Sequence, residues 1–391
     1  MGLVSVAVVV AVGCTAETVD KRTGPSRVDK DPVSLTPNVA QQATDVNVST
    51  RVKVLAEDGR ITSASLRTAD GKTRIPGRLA GTSWTARERL EPGTTYTLVT
   101  RGRGEDGRTA TVRRTFTTQA LTLEQQTYPA VAPLQGETVG VGMPVIVTFD
   151  LPVKNRALYE KNMVVTADKA VSGSWTWFTD REAHFRPRTF WPAHTAVNVH
   201  LSLNSLPAGN GIYGQQDQDI DFRVGKKVVS VVNVAKHRLR YTVDGTVRKT
   251  IPVTTGDDGH RTREGTKVIM EKFSSVDMDA ATTGVDSEDP GYYNISDVRW
   301  AMRLTNSGEF LHAAPWSVAA QGNANVSHGC TGMSTANAKW LFDRSRRGDV
   351  VRYINSPREL EDRNGWTDWN VPWRTWVRGS ALQAPSTADN A

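Results

Sequence analysis

The chain has 391 residues, 38% of them hydrophobic and 23% charged. That length suits two or three domains, and that balance suits a globular chain rather than a disordered one. No apolar run approaches the ~20 residues that a membrane-spanning helix needs, which excludes a multispan membrane protein. The net charge of +7, from 48 basic and 41 acidic residues, favours anionic surroundings such as a cell wall or an acidic membrane surface. The basic residues are spread along the chain without interleaved aromatics, so nucleic acid is not read as a partner. Two cysteines, Cys14 and Cys330, are too few for a disulfide scaffold.

In chain order, residues 1–13 hold the apolar run from Leu3 to Val12, which has the length of the hydrophobic region of a secretory signal. Ala11-Val12-Gly13-Cys14 resembles the lipobox of bacterial lipoproteins, whose cysteine is lipidated; the other reading is a plain signal peptide. Either predicts export, and the first predicts a lipid anchor at Cys14 on the outer face of the cytoplasmic membrane. Residues 14–38, polar and broken by Pro25, Pro32 and Pro37, read as a flexible tether. Residues 39–119 carry short strand-like runs between the turn dipeptides Asp58-Gly59, Asp70-Gly71 and Asp106-Gly107, the spacing of a β-sandwich. Residues 120–225 read as a second sandwich, with Trp175, Trp177, Phe185, Phe190 and Trp191 in its core.

A third unit, 226–354, opens with strands around Val229–Val234, His237–Tyr241 and Thr246–Thr255. Its one predicted helix starts at an N-cap, Ser334, and runs over Thr335–Arg347 to Gly348. The tail, 355–391, carries Trp366, Trp369, Trp373 and Trp376, too much aromatic surface to leave in water. It is expected to dock on the third unit. The fold expected is therefore mostly β: two immunoglobulin-like sandwiches, a β-rich domain with one helix, and a Trp-rich C-terminal extension.

Chemistry concentrates in Phe310-Leu311-His312-Ala313-Ala314-Pro315-Trp316 and Ser327-His328-Gly329-Cys330-Thr331-Gly332-Met333. A thiol becomes a strong nucleophile as its thiolate, and an imidazole can take its proton. That base needs a third group to fix its tautomer. Gly329 lets backbone N–H groups approach a developing oxyanion, each worth about 3 kcal/mol of barrier. The spacing alone leaves both His312 and His328 open as the base. His184, His194, His200, His237 and His260 show no metal-ligand spacing, and no cofactor is called for. Asp277, Asp279, Asp286, Glu288 and Asp289 read as a solvated acidic loop.

His312 and the Ser327–Cys330 motif, with 17 residues between His312 and Cys330, resemble the signature of the L,D-transpeptidases of the YkuD type. The resemblance extends to Ser307-Gly308, Ala314-Pro315-Trp316-Ser317, Asn337-Ala338-Lys339-Trp340 and Asp368-Trp369-Asn370-Val371-Pro372-Trp373. It is to the actinobacterial members, which carry two immunoglobulin-like domains ahead of the catalytic one. The resemblance implies that Cys330 is the nucleophile, His312 its base and the Ala313 carbonyl the third member. It also implies an oxyanion hole from the N–H groups of His328, Gly329 and Cys330. Donor substrate would meet Ser307, Gly308, Ser327 and Tyr292 or Tyr293, of which Tyr292 is preferred because it follows Gly291. Two positions depart from the family: Gly332 stands where an asparagine is usual, and Thr283 where relatives carry tyrosine.

The reaction implied is 3→3 cross-linking of peptidoglycan stem peptides through a cysteine thioester, with stems as donor and acceptor and carbapenems as acylating inhibitors. A stem-peptide carboxypeptidase or another cysteine hydrolase shares the acyl-enzyme. A wall-binding lipoprotein with a decayed site is the third alternative.

Overall fold

A computed structural model of the chain describes residues 31–283, 286–288 and 292–382. Cys14 and the apolar run before it lie outside the described residues, as do Asp289, Gly291 and the side chain of Thr283.

The chain folds as two compact units. The first comprises 31–42, 52–87 and 96–115. It holds two four-stranded sheets, one containing Ser34–Pro37, Lys53–Glu57, Ser83–Ala86 and Gly77–Ala80, the other built around Gly59–Thr68 and Thr95–Gly104. Alternation dictates which side chains face inward: Val54, Leu66, Trp84, Tyr96 and Leu98 are almost wholly buried. Ser34–Pro37 lies inside the stretch expected to be a tether, yet it pairs antiparallel with Lys53–Glu57. The reason is Val33 and Leu35, whose burial repays the ordering of that segment. The sandwich therefore starts before residue 39.

The second unit contains the second sandwich, the third β-rich region and the C-terminal extension. Its sandwich packs a sheet ordered Pro129–Ala132, Val145–Phe149, Glu182–Pro187, Gly173–Trp177 against one ordered Thr138–Val139, Gln218–Val224, Ala196–Leu201, Met163–Ala167. Trp175, Trp177, Phe185 and Trp191 are buried in the core and Phe190 packs at its edge. Beyond it, a five-stranded sheet runs Thr246–Pro252, Arg238–Val243, Val228–Asn233, Val350–Ile354, Gly265–Val268. A four-stranded sheet runs Glu271–Asp279, Asn294–Arg303, Phe310–Ala313, Thr331–Met333.

The described residues contain three short α-helices, Arg156–Glu160, Thr335–Phe342 and Trp373–Arg378, of which the second is the one helix expected in the third region. The helix after the nucleophile starts where expected, with Ser334 Oγ accepting from Asn337 N–H at 3.3 Å. It ends at Phe342, short of Arg347. Lys272 Nζ takes the carbonyls of Phe342 and Ser345 at 2.7 and 2.6 Å, and the chain tightens into turns there. Terminal carbonyls satisfied from outside need no further helical turn.

The C-terminal extension was expected on the third unit, where Trp366 lies over Arg347 at 5.5 Å; its other three tryptophans cover the second sandwich. Arg186, itself buried, lies under Trp369, Trp373 and Trp376 at 5.0, 5.2 and 4.6 Å from the ring centroids. Trp369 and Trp376 donate to the carbonyls of Gly142 and Ser174. A guanidinium in the sandwich thus supplies the flat cationic face on which indoles stack. The extension also reaches the third region, where Asn370 Oδ1 accepts from Thr266 N–H at 2.8 Å. It straps the two together, which is why they form one compact unit.

His184 of the sandwich lies between Asp368 of the strap (3.1 Å) and Glu182 (3.0 Å). Burial alone would lower its pKa, but the two carboxylates outweigh that and raise it to about 9. A pKa above the unfolded value stabilises the fold below pH ~6.5 and loses that contribution as pH rises through 9. Denaturant midpoints should therefore fall between pH 6.5 and 9, by on the order of 3 kcal/mol. His184→Gln should flatten that slope.

Candidate active site

Strand pairing builds the site. Phe310–Ala313 lies parallel to Thr331–Met333, with His312 opposite Gly332. Side chains two apart on a strand share a face, so this register brings His312 and Cys330 to the same side of the sheet. Both line one cavity of about 440 Å³, with Tyr293, Trp316, Ser327, His328 and Gly332 also on its walls.

His312 is buried, and its Nδ1 is 2.8 Å from the Ala313 carbonyl. A carbonyl only accepts, so Nδ1 carries the proton and Nε2 keeps its lone pair. Burial holds the imidazole below its ordinary pKa, against the pull of the Ala313 carbonyl. Trp316 stacks on the ring with centroids 5.9 Å apart, while itself 57% exposed at the cavity rim.

Cys330 is a free, buried thiol. Its Sγ–H points to the Gly308 carbonyl at 3.4 Å. Burial pushes its pKa up to about 12, although the Phe310 backbone amide favours the thiolate. The resting pair is therefore a neutral thiol beside a neutral imidazole.

The loop before Cys330 is braced from within. Ser327 Oγ donates to the Cys330 carbonyl at 2.6 Å and accepts from Gly329 N–H at 3.1 Å. Thr262 Oγ1 donates to the Gly329 carbonyl at 2.7 Å. Gly329 has φ +118°, a conformation that costs L side chains and that glycine accepts. His328 stacks between His260 (4.5 Å) and Tyr293 (5.1 Å), and His260 Nδ1 is 3.0 Å from Asp257.

Of the two tyrosines, Tyr293 lines the cavity and Tyr292 does not. Tyr292 was preferred for following Gly291, but the two residues alternate sides as the chain enters the strand Asn294–Arg303, and the second of them turns inward. Ser307 is exposed and bonded to Asn364 of the strap at 2.9 and 2.8 Å; it is not on the cavity wall. Gly308 is there through its carbonyl alone. Sequence reasoning missed Thr262, His260, Lys267 and Glu309. Lys267 and Glu309 carry no local signal: Glu264-Gly265-Thr266 precedes the one and Asn306-Ser307-Gly308 the other.

Gly332 meets a tight wall: a Cβ there would stand 2.8 Å from Ala314 Cβ and 3.1 Å from Thr254 Cγ2. The wall leaves little room for a side chain at this position. No grouping of His, Cys, Asp or Glu among the described residues forms a metal site.

These features define a cysteine acyltransferase whose β-rich catalytic domain follows immunoglobulin-like sandwiches. The model of a bacterial Ig domain matches residues 43–207, and that of the L,D-transpeptidase catalytic domain matches 227–352. L,D-transpeptidase 2 of Mycobacterium tuberculosis is 35% identical over 89% of this chain and 85% of its own length. L,D-transpeptidase 5 of the same species is 36% identical over 90% of this chain and 78% of its own length. A solved L,D-transpeptidase in complex with imipenem, 32% identical, superposes with a TM-score of 0.51 over 57% of this chain and 97% of that one. The chain belongs to the L,D-transpeptidase family.

Two outcomes follow from the geometry. Because thiol and imidazole both rest neutral, alkylation of Cys330 by iodoacetamide should rise steadily from pH 6 to 10. A preformed thiolate–imidazolium pair would instead give a plateau at low pH. Gly332→Asn should overpack the wall and cost about 1–3 kcal/mol, read as a lower denaturant midpoint.

Proposed function

We propose that the enzyme forms 3→3 cross-links between peptidoglycan stem peptides by two-step acyl transfer through Cys330. The observation that carries this reading is the tautomer of His312: with Nδ1–H committed to Ala313 O, Nε2 is the base on the cavity side.

In the first step Nε2 takes the Cys330 proton, and the sulfur attacks the carbonyl of the L-centre of diaminopimelate in a tetrapeptide stem. The C–N bond to D-Ala breaks, and the leaving amine takes the proton back from the imidazolium. In the second step the side-chain amine of an acceptor stem attacks the thioester. His312 accepts its proton and returns it to the departing sulfur. The tetrahedral oxyanion meets backbone N–H groups of the 328–330 loop. Gly329 N–H is engaged by Ser327 Oγ in the resting structure, so the His328 and Cys330 amides have the larger part. Each such donor is worth about 3 kcal/mol.

Tyr293, Met278 and Ile295 on one side and Trp316 on the other give the donor stem an apolar slot, with His328 at its floor. Carbapenems acylate the same sulfur, a reading supported by the relative solved with imipenem. Export, with a lipid anchor at Cys14, places the reaction in the wall space; the bacterial Ig domain supports the wall setting.

Incubating residues 31–382 with a disaccharide-tetrapeptide tests the proposal by mass. The expected products are a Cys330 acyl adduct and a cross-linked dimer, both absent in Cys330→Ala. Release of tripeptide alone would instead make the enzyme a carboxypeptidase. His312→Gln should lower the acylation rate by about 10²–10⁴-fold.

A further inference from the structure

Behind the nucleophile lies a charge cluster that the reaction above does not use. Lys267 sits in the strand Gly265–Val268, and its side chain is fully buried. Lysine is almost never buried to that extent without a partner. Its partner is Glu309, also buried, whose carboxylate it contacts directly. Glu309 Oε1 additionally accepts from Arg263 twice, from the guanidinium at 3.1 Å and from the backbone N–H at 3.0 Å. Arg263 continues to Glu361, which is half exposed and so screened by water.

The cluster adjoins the catalytic loop on two sides. A Cβ on Gly329 would stand 3.8 Å from Glu309 Oε1, and Glu309 immediately precedes Phe310, whose amide faces the Cys330 sulfur. Lys267 Nζ lies 3.8 Å from the centroid of the Tyr353 ring. The Tyr353 hydroxyl is 2.6 Å from Thr331 Oγ1, the residue after the nucleophile. The register explains this contact: Gly265 pairs with Tyr353, so Lys267 is its diagonal neighbour on the same face.

Lys267 and Arg263 face two carboxylates, Glu309 and Glu361, so the network balances in charge, and the opposed pair Lys267–Glu309 sets the field at a sulfur that must become an anion. Water cannot screen it there, and the interior dielectric makes it count. We propose that Lys267, Glu309 and Arg263 form a positioning element of the acyl-transfer site, in which Lys267 offsets the Glu309 charge beside the Cys330 sulfur while the carboxylate holds the Gly329 loop. The inference rests on Cys330 being the nucleophile. The other charged or titratable groups that face the sulfur are Arg303 (itself paired with Glu271), His312, His328, Tyr293 and Tyr353; none of them changes in the variants below.

Charge counting makes the test directional. Counting Lys267, Arg263, Glu309 and Glu361, the network is neutral in the wild type, has one negative charge in excess in Lys267→Met, one positive charge in excess in Glu309→Gln, and is neutral again in the double variant. The readout is the rate of Cys330 alkylation by iodoacetamide on the full chain, followed by intact mass from pH 7 to 10. A tenfold change in thiolate fraction shows as about a three- to fourfold change in rate, because nucleophilicity falls as the thiol becomes more acidic. Lys267→Met should react about three- to fourfold more slowly at each pH, Glu309→Gln faster by a similar factor, and the double variant close to wild type.

A merely structural role would move all three variants the same way, or leave all three unmoved; either result overturns the proposal. Breaking a buried pair can unfold a protein. If Lys267→Met does not fold, Glu309→Gln and the double variant decide: a fast single with a near-wild-type double upholds it, and equal rates overturn it. If the wild type takes no carbapenem adduct, the cross-linking reading fails, while the alkylation series still reports on the cluster by itself.

Discussion

The site depends on a parallel pairing of two very short strands. Phe310–Ala313 and Thr331–Met333 are joined by a long excursion through Pro315–Ser317 and the 327–330 loop, and they meet in one register only. A slip of one residue would turn His312 to the opposite face from Cys330 and expose Leu311. Leu311 and Met333 are wholly buried against the helix residues Ala338 and Leu341, so the hydrophobic core enforces the register that the chemistry needs. Catalytic geometry here is a by-product of core packing.

Burial sets the chemistry as well as the geometry. The same low-dielectric environment raises the thiol, lowers the imidazole and leaves both uncharged at rest. The proposed reaction would create charge in a place built to oppose it, except where fixed dipoles wait: the Phe310 amide beside the sulfur and the Ala313 carbonyl behind the imidazole. Such groups are already oriented and need not reorganise as charge develops. The brace of Ser327 and Thr262 on the loop serves this end, since a loose loop would forfeit the benefit.

Much of this was legible in the sequence. The turns at Asp70-Gly71 and Asp106-Gly107 and the Ser334 cap all act locally, and local rules read them correctly. The Cys–His spacing marked the two reacting side chains. What escaped depends on distant pairing. Residues 34–37 look like tether until Leu35 finds its sandwich, and the helix end at Phe342 is set by Lys272, some 70 residues earlier. The choice between Tyr292 and Tyr293 turned on where the strand Asn294–Arg303 begins, the kind of boundary that pattern reading fixes least well. Lys267 and Glu309 each follow a polar stretch and stand out only through the partners that the fold brings to them.

The strap over Arg186 has a consequence for the order in which the molecule assembles. The arginine belongs to a strand completed by residue 187, but its tryptophan cover comes from residues 369–376, roughly 185 positions later in the chain. Until the strap is made, that guanidinium has only the Pro187 and Arg188 carbonyls as neighbours, and the face of the sheet it stands on is uncovered. Contacts of such sequence separation form slowly, because the loop-closure entropy must be met first. The catalytic region lies wholly inside that loop. A chain truncated before residue 369 would keep the direct bonds of Gly140 and Gly142 to Arg347 and Gly348 but lack the clasp.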